Sequence, residues 1–215
     1  MRLDPAGLPF IGGALALAVV SGAAIGWMLA VPFAALGLFF AFFFRDPERL
    51  VPDAGDEVLA PADGRVLVAG DVQPGAAPAA AATPADSGWQ QISIFLSPIN
   101  VHVNRIPVSG RVTRVDYKPG RFLPAYHNDA AATNERSEIW IDHHGETVVA
   151  RQIVGILARR VVCRVQPGAE VRAGDRYGIM KFGSRMDIFV PSTARVTVKV
   201  GETVRGGETV IAVLH

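Results

Sequence analysis

The chain has 215 residues, and its 21 Lys and Arg nearly balance its 20 Asp and Glu. That length allows one domain with a sizeable core plus an appendage. Balanced charge, with no basic stripe interleaved with aromatics, excludes a nucleic-acid partner. The single cysteine, Cys163, excludes an intrachain disulfide, fits a reducing compartment and reads as a small core residue.

No Asp, Glu, Lys, Arg or His occurs between Asp4 and Arg45. So long an apolar stretch, ending in Phe42-Phe43-Phe44 and then charge, is unlike a cleaved signal peptide. It exceeds one membrane crossing of about 20 residues and is tight for two. Interruptions at Gly26-Trp27 and Pro32 predict two short helices, 8–25 and 30–44, forming a hairpin or a shallow re-entrant anchor. Residues 1–45 are therefore expected to be a membrane segment and 46–215 a separate β domain. A hairpin sets Arg2, Arg45 and Arg49 on one side, and the bias of Lys and Arg places that domain at the cytoplasmic face of the cell membrane.

After the anchor, short Val- and Leu-rich runs are punctuated by Pro, Asp and Gly, which predicts strands and turns. Residues 73–88, "QPGAAPAAAATPADSG", lack bulky apolar groups and read as an exposed flexible loop. Strand-length apolar pieces resume at Trp89 and continue to the C-terminus, interrupted by "RFLPAYHNDAAATNERS" (121–137), a loop with a helical turn. His143-His144 before Gly145 reads as a hairpin turn. Those two histidines and His127 lack acidic or cysteine companions at ligand spacing, so no metal is expected. The fold class is mainly β: a compact, antiparallel-rich sandwich or partly closed barrel behind a hydrophobic helical hairpin.

Gly168-Ala-Glu-Val-Arg-Ala-Gly174-Asp175 and Gly201-Glu-Thr-Val-Arg-Gly-Gly207-Glu208 echo one another, and similar units occur in biotinyl and lipoyl carriers and in membrane adaptors. A carrier or adaptor function is thus one reading, with Lys181 as the residue to be modified. Other pieces have bland readings when taken singly. Asp63 in "APADG" suits a turn, His102 in "SPINVHVNR" an interior histidine, "NER" (134–136) a cap, and Gly183-Ser184 in "KFGSR" a strand bulge.

Taken in order, these pieces resemble the phosphatidylserine decarboxylases, in particular their short bacterial and archaeal branch. The similarity runs from Phe-Phe-Arg-Asp-Pro-Glu-Arg (43–49) through Ala-Pro-Ala-Asp-Gly, Ser-Pro-Ile-Asn-Val-His-Val-Asn-Arg and Asn-Glu-Arg, to Gly-Asp-Arg-Tyr-Gly (174–178) and Phe-Gly-Ser-Arg (182–185). It implies decarboxylation of phosphatidylserine to phosphatidylethanolamine, and self-cleavage at Gly183-Ser184. In that cleavage Ser184 Oγ attacks the Gly183 carbonyl, and β-elimination and hydrolysis leave a covalent pyruvoyl group (the pyruvate cofactor) on an α chain, 184–215. The β chain, 1–183, stays with it as a heterodimer, and a higher oligomer is left open.

A glycine before the serine adds no Cβ to obstruct attack and tolerates strained backbone. Serine needs a base, and a histidine oriented by a carboxylate is the usual one; the motifs assign those parts to His102 and Asp63. Arg105 stands where the long branch has a second histidine, so His102 either activates Ser184, serves the decarboxylation, or does both. In the mature enzyme the pyruvoyl carbonyl takes the substrate amine as a Schiff base and acts as the electron sink. Arg105 and Arg185 are expected either to hold the substrate's anionic groups or to be surface charges.

Overall fold

The computed structural model describes residues 2–53, 55–78, 88–127, 129–156, 161–181 and 183–215. The chain divides into two compact units, residues 1–48 with 101–103, and residues 49–100 with 104–215.

The first unit is a helical hairpin. It comprises β1 (Arg2–Leu3), α1 (Leu8–Ala24), α2 (Trp27–Phe43) and β2 (Arg45–Asp46). Antiparallel pairing of Arg2 with Asp46 and of Leu3 with Arg45 closes its base, so Arg2 and Arg45 lie at the same end. The helices break at Ile25-Gly26, where Gly26 has φ +140°, open to glycine and strained for other residues. Pro32, expected to interrupt the chain, instead lies inside α2. It sits one turn from the helix start and forfeits a single hydrogen bond, to the Met28 carbonyl. Gly37 packs on Ala14 and Leu15, letting the helices approach closely. Val19, Val20, Trp27, Met28 and Leu38 are exposed, an outer surface that suits hydrocarbon. Among the described residues, Pro5–Ala24 is the one helix long and apolar enough to cross a membrane. At 1.5 Å per residue the 17 residues of α2 extend about 25 Å, short of a hydrocarbon core of about 30 Å.

The remaining elements are β3 (Glu57–Leu59), β4 (Gly64–Asp71), β5 (Trp89–Leu96), β6 (Val103–Arg105), β7 (Gly110–Lys118), α3 (Ala130–Thr133), β8 (Arg136–His143) and β9 (Glu146–Val154). They continue with β10 (Val161–Cys163), β11 (Glu170–Val171), β12 (Arg176–Met180), β13 (Ser184–Pro191), β14 (Arg195–Val196), β15 (Thr203–Val204) and β16 (Val210–Val213). A curled, antiparallel eight-stranded sheet has the order β11-β7-β8-β9-β13-β5-β4-β15, and three-stranded sheets β10-β12-β6 and β14-β16-β3 accompany it. The mainly β class read from strand-length apolar runs is the class observed. Two-residue strands form both edges of the large sheet, which leaves little backbone for unwanted pairing.

Both faces of the central strands are covered. Ile92, Ile94 and Leu96 of β5, Val148 and Ala150 of β9, and Met186, Ile188 and Val190 of β13 point into the main core, as a period of two requires. On the opposite face Trp140, Val149 and Phe189 cluster with Val72 and Trp89. Ala76 is buried there with Ala131 and Ile153, so the start of the expected exposed loop is a cover for the sheet. Residues 79–87 of that loop lie outside the described residues. The His143-His144-Gly145 turn joins β8 to β9 as expected, with positive φ at His144 (52°) and Gly145 (93°), the twist a tight hairpin needs.

Candidate active site

Four strand ends meet at one end of the large sheet. Ser184, the first residue of β13, pairs with Leu96 at the end of β5 and with Val154 at the end of β9. On the far side of β5, Arg65 near the start of β4 pairs with Phe95, which brings Asp63 and Gly64 to the same end. The "APADG", "SPINVHVNR" and "FGSR" segments, far apart in sequence, are thus gathered by strand register. The Asn-Glu-Arg segment joins them. Asn134 Nδ2 donates to the carbonyls of Val154 and Leu123, each at 2.8 Å, and its Oδ1 accepts from the Leu123 amide. Buried Asn134 therefore staples the 121–125 loop to the residue that pairs with Ser184.

Gly183 has φ +76°, a conformation costly for any side-chain-bearing residue. Apart from its two chain neighbours, a Cβ there would meet nothing within 4 Å, so packing against the rest of the fold does not require glycine, and its backbone conformation does. At Gly155 the demand is space: a Cβ would overlap the Gly183 carbonyl oxygen. Ser184 is fully buried, and its Oγ has no hydrogen-bond partner among the described residues. Buried hydroxyls ordinarily find one. An apolar cavity of about 360 Å³, lined by Phe95, Pro98, Pro124, Tyr126 and Ile156, reaches Gly155 and Gly183.

The other expected site residues are all accounted for. Asp63 accepts from Arg49 Nη2 on both oxygens, at 2.9 and 2.8 Å, and from the Gly206 amide at 2.8 Å. His102 belongs to the first unit, where it is fully buried with its ring 4.2 Å from that of Phe43, centroid to centroid. Neither arginine is a surface charge. Arg105 is buried and donates to the Gly174 carbonyl at 3.0 Å. Arg185, on the face opposite Ser184, bonds Asp187 at 2.6 Å, Ser93 at 2.8 Å and Gln73 at 2.9 Å. Lys181 follows β12 and precedes β13, strands of two different sheets, so no hairpin presents it as a carrier lysine.

Residues 36–212 match the family model described as phosphatidylserine decarboxylase. Among curated proteins, the chain is 41% identical to a phosphatidylserine decarboxylase proenzyme of Nitrosomonas europaea, over 97% of this chain and 94% of that one. It is 44% identical to that of Chlorobium phaeobacteroides, over 98% and 90%. With that of Pelodictyon phaeoclathratiforme it shares 46%, over 81% and 79%. The chain belongs to the phosphatidylserine decarboxylase family. Membership disfavours the carrier reading of the Gly-x-x-Val repeats, which serve as turns.

Two features of the site escaped the sequence reading. Gly155 offered the same signal as Gly183, a glycine at the end of an apolar strand, but nothing local says that its partner is the Gly183 carbonyl. Asn134 was visible in its motif without a role, because the staple depends on a loop folding back from residue 123.

Proposed function

We propose that the chain is a membrane-anchored decarboxylase that converts phosphatidylserine to phosphatidylethanolamine and CO₂ after cutting its own Gly183–Ser184 bond. The observation that carries this reading is the pairing of a buried, unpartnered Ser184 Oγ with a glycine held at φ +76°. A hydroxyl committed to a structural hydrogen bond would not be available to attack. In the cleavage Oγ loses its proton to a base, bonds to the Gly183 carbonyl carbon, and the carbon–nitrogen bond breaks to give an ester and an amine. β-Elimination then releases the Gly183 carboxylate, and hydrolysis of the dehydroalanine releases ammonia.

The residues present fit the pyruvoyl group that results, because Ser184 starts a central strand whose own ladders outlast the cut. All eight residues of β13 pair with β5 and six pair with β9, which supports an α chain, 184–215, retained by the β chain, 1–183. Once formed, that group supplies the electron sink for loss of CO₂. His102 is proposed as the proton carrier, buried against Phe43, and Asp63 as the carboxylate that orients it. Arg105 is proposed to face the lipid's anionic groups. For Arg185, substrate binding is the earlier expectation, but its three bonds support a part in holding β13. The apolar cavity beside Gly183 and the exposed Ile99, Phe122, Tyr126 and Ile156 suit a substrate that keeps its acyl chains in the bilayer, at the cytoplasmic face.

Intact-mass spectrometry of purified, active protein tests the reading. Two chains are expected, the smaller lighter by one ammonia than a serine-started 184–215 chain. Ser184→Ala is expected to remain one full-length, inactive chain. Active protein that is wholly uncleaved, or a Ser184→Ala chain that still splits, would overturn the proposal.

A further inference from the structure

On the same sheet face as Ser184 lies a second set of buried polar atoms for which the cleavage chemistry above has no use. Gln152 pairs with Met186 on β13, two residues along from Ser184, which makes the two side chains diagonal neighbours at roughly 7–8 Å. Gln152 Nε2 donates to Asn104 Oδ1 at 2.8 Å and, at the long end of the range, to the Val162 carbonyl at 3.4 Å. A carbonyl can only accept, so the Gln152 end that faces Val162 is the nitrogen, and the Asn104 atom that meets it is the oxygen. This fixes both amides and leaves Asn104 Nδ2 and Gln152 Oε1 over. Both residues are fully buried, and neither leftover atom has a partner among the described residues.

Room for this pair is provided by Gly178 of the Gly-Asp-Arg-Tyr-Gly segment. A Cβ there would lie 2.7 Å from Gln152 Nε2. The "SPINVHVNR", "GDRYG" and "FGSR" segments thus each contribute one residue to a single pocket of polarity in an otherwise apolar interior. Leaving a buried amide donor unused is costly, and a methyl-bearing chain such as Leu would fill the same volume without that cost.

We propose that Asn104 is a catalytic residue of the self-cleavage, its Nδ2–H donating to Ser184 Oγ when that side chain, unbonded in the resting structure, turns toward it, and that Gln152 is the positioning residue that holds Asn104 in its orientation. This rests on the Gly183–Ser184 cleavage proposed above. The donor stabilises negative charge on Oγ as its proton leaves and the bond to the Gly183 carbon forms. It serves again when Oγ departs as part of the Gly183 carboxylate in the elimination. A neutral amide suits both steps, since it donates to Oγ without competing for the proton.

The test follows the rate of chain splitting after a pulse of cell-free synthesis of the full chain with lipid vesicles. Asn104→Leu is expected to slow splitting about 100-fold, and Gln152→Met about 10-fold. Asn104→Asp gives the readout that a merely structural role would not move. Only its protonated carboxyl can donate, so its rate relative to the parent chain at the same pH is expected to rise as the pH falls from 8 to 5. Asn104→Leu within twofold of the parent, or a pH-independent ratio for Asn104→Asp, overturns the inference. Where Asn104→Leu does not fold, the Asn104→Asp ratio decides. A parent chain that never splits overturns the cleavage itself, whereas a splitting parent with equally fast variants removes only the part given to Asn104 and Gln152.

Discussion

Strand β13 has two faces, equally buried and opposite in character. Arg185 and Asp187 are 1% and 0% exposed, and the network around them is closed. Arg185 bonds Asp187, Ser93 and Gln73, while Asp187 also accepts from Gln91 Nε2 at 3.1 Å. Beside them Arg151 bonds Glu138 at 3.0 Å and lies 4.6 Å from the centre of the Phe189 ring. Burial pulls the Arg151 guanidinium below its usual pKa, and Glu138 and Asp187 oppose the shift. Ser184, 0% exposed on the other face, has an unpartnered hydroxyl, and its diagonal neighbour Gln152 carries a leftover atom as well. On β13, therefore, burial does not separate the structural polar groups from the one proposed to react; partnering does. One face clamps the strand that the proposed cleavage would turn into a new chain end, and the other leaves that end available for reaction.

The sharpest way to break this contrast is to remove one group from each face in a Ser184→Ala background, so that chain cutting does not enter. Arg185→Met leaves Asp187 buried without its main partner and is expected to cost about 3–5 kcal/mol. Gln152→Met removes hydrogen bonds from an already incomplete set and is expected to cost about 1 kcal/mol. Denaturant unfolding in detergent reads both. Equal losses would mean that the two faces do the same work.

Next in size is Gly155→Ala. The new methyl overlaps the Gly183 carbonyl, so the end of β9 or the start of β13 must move, at about 1–3 kcal/mol. Splitting is expected to slow at least 10-fold, because a small displacement of the attacked carbon is heavily penalised. Gly178→Ala overlaps the Val162 carbonyl and crowds Gln152, not the Gly183 carbonyl, and is expected to slow splitting less. Mass spectrometry of pulse-labelled protein ranks the two, and the reverse order would separate Gly155 from the reaction.

What the sequence disclosed follows from how local each cause is. The helical hairpin was legible because an uncharged run of this length has few soluble explanations, although Pro32 misplaced one boundary: proline near a helix start costs one bond, not the helix. Gly183 was legible because positive φ is a local demand. Asp63, His102 and Ser184 were named from motifs, and register brings Asp63 and Ser184 to one end of the sheet. Arg185 was read as a substrate-binding residue or a surface charge because nothing nearby shows that Asp187, Ser93 and Gln73 meet it. Gln152 went unnoticed for the same reason, its partners lying 48 and 10 residues away.

The smallest effect tests whether an unpartnered buried hydroxyl is by itself a sign of chemistry. Tyr177 is fully buried in the main core and its Oη, like Ser184 Oγ, has no partner among the described residues. No glycine with strained backbone precedes it, and its Oη, at the far end of the ring, cannot turn back onto the preceding Arg176 carbonyl as a serine Oγ can onto its own preceding carbonyl. Burial pushes its phenol well above the usual pKa, so the folded form keeps the proton when the unfolded chain has lost it. The stability this group contributes is therefore complete below about pH 10 and falls away as the pH rises beyond it. Tyr177→Phe is expected to leave splitting unchanged, to add about 1 kcal/mol at neutral pH by removing an unpaired hydroxyl, and to flatten the alkaline fall. Unfolding midpoints at neutral pH and above pH 10 check this. A loss of stability in Tyr177→Phe would show that Oη has a partner after all, and slower splitting would extend the reactive face from β13 to β12.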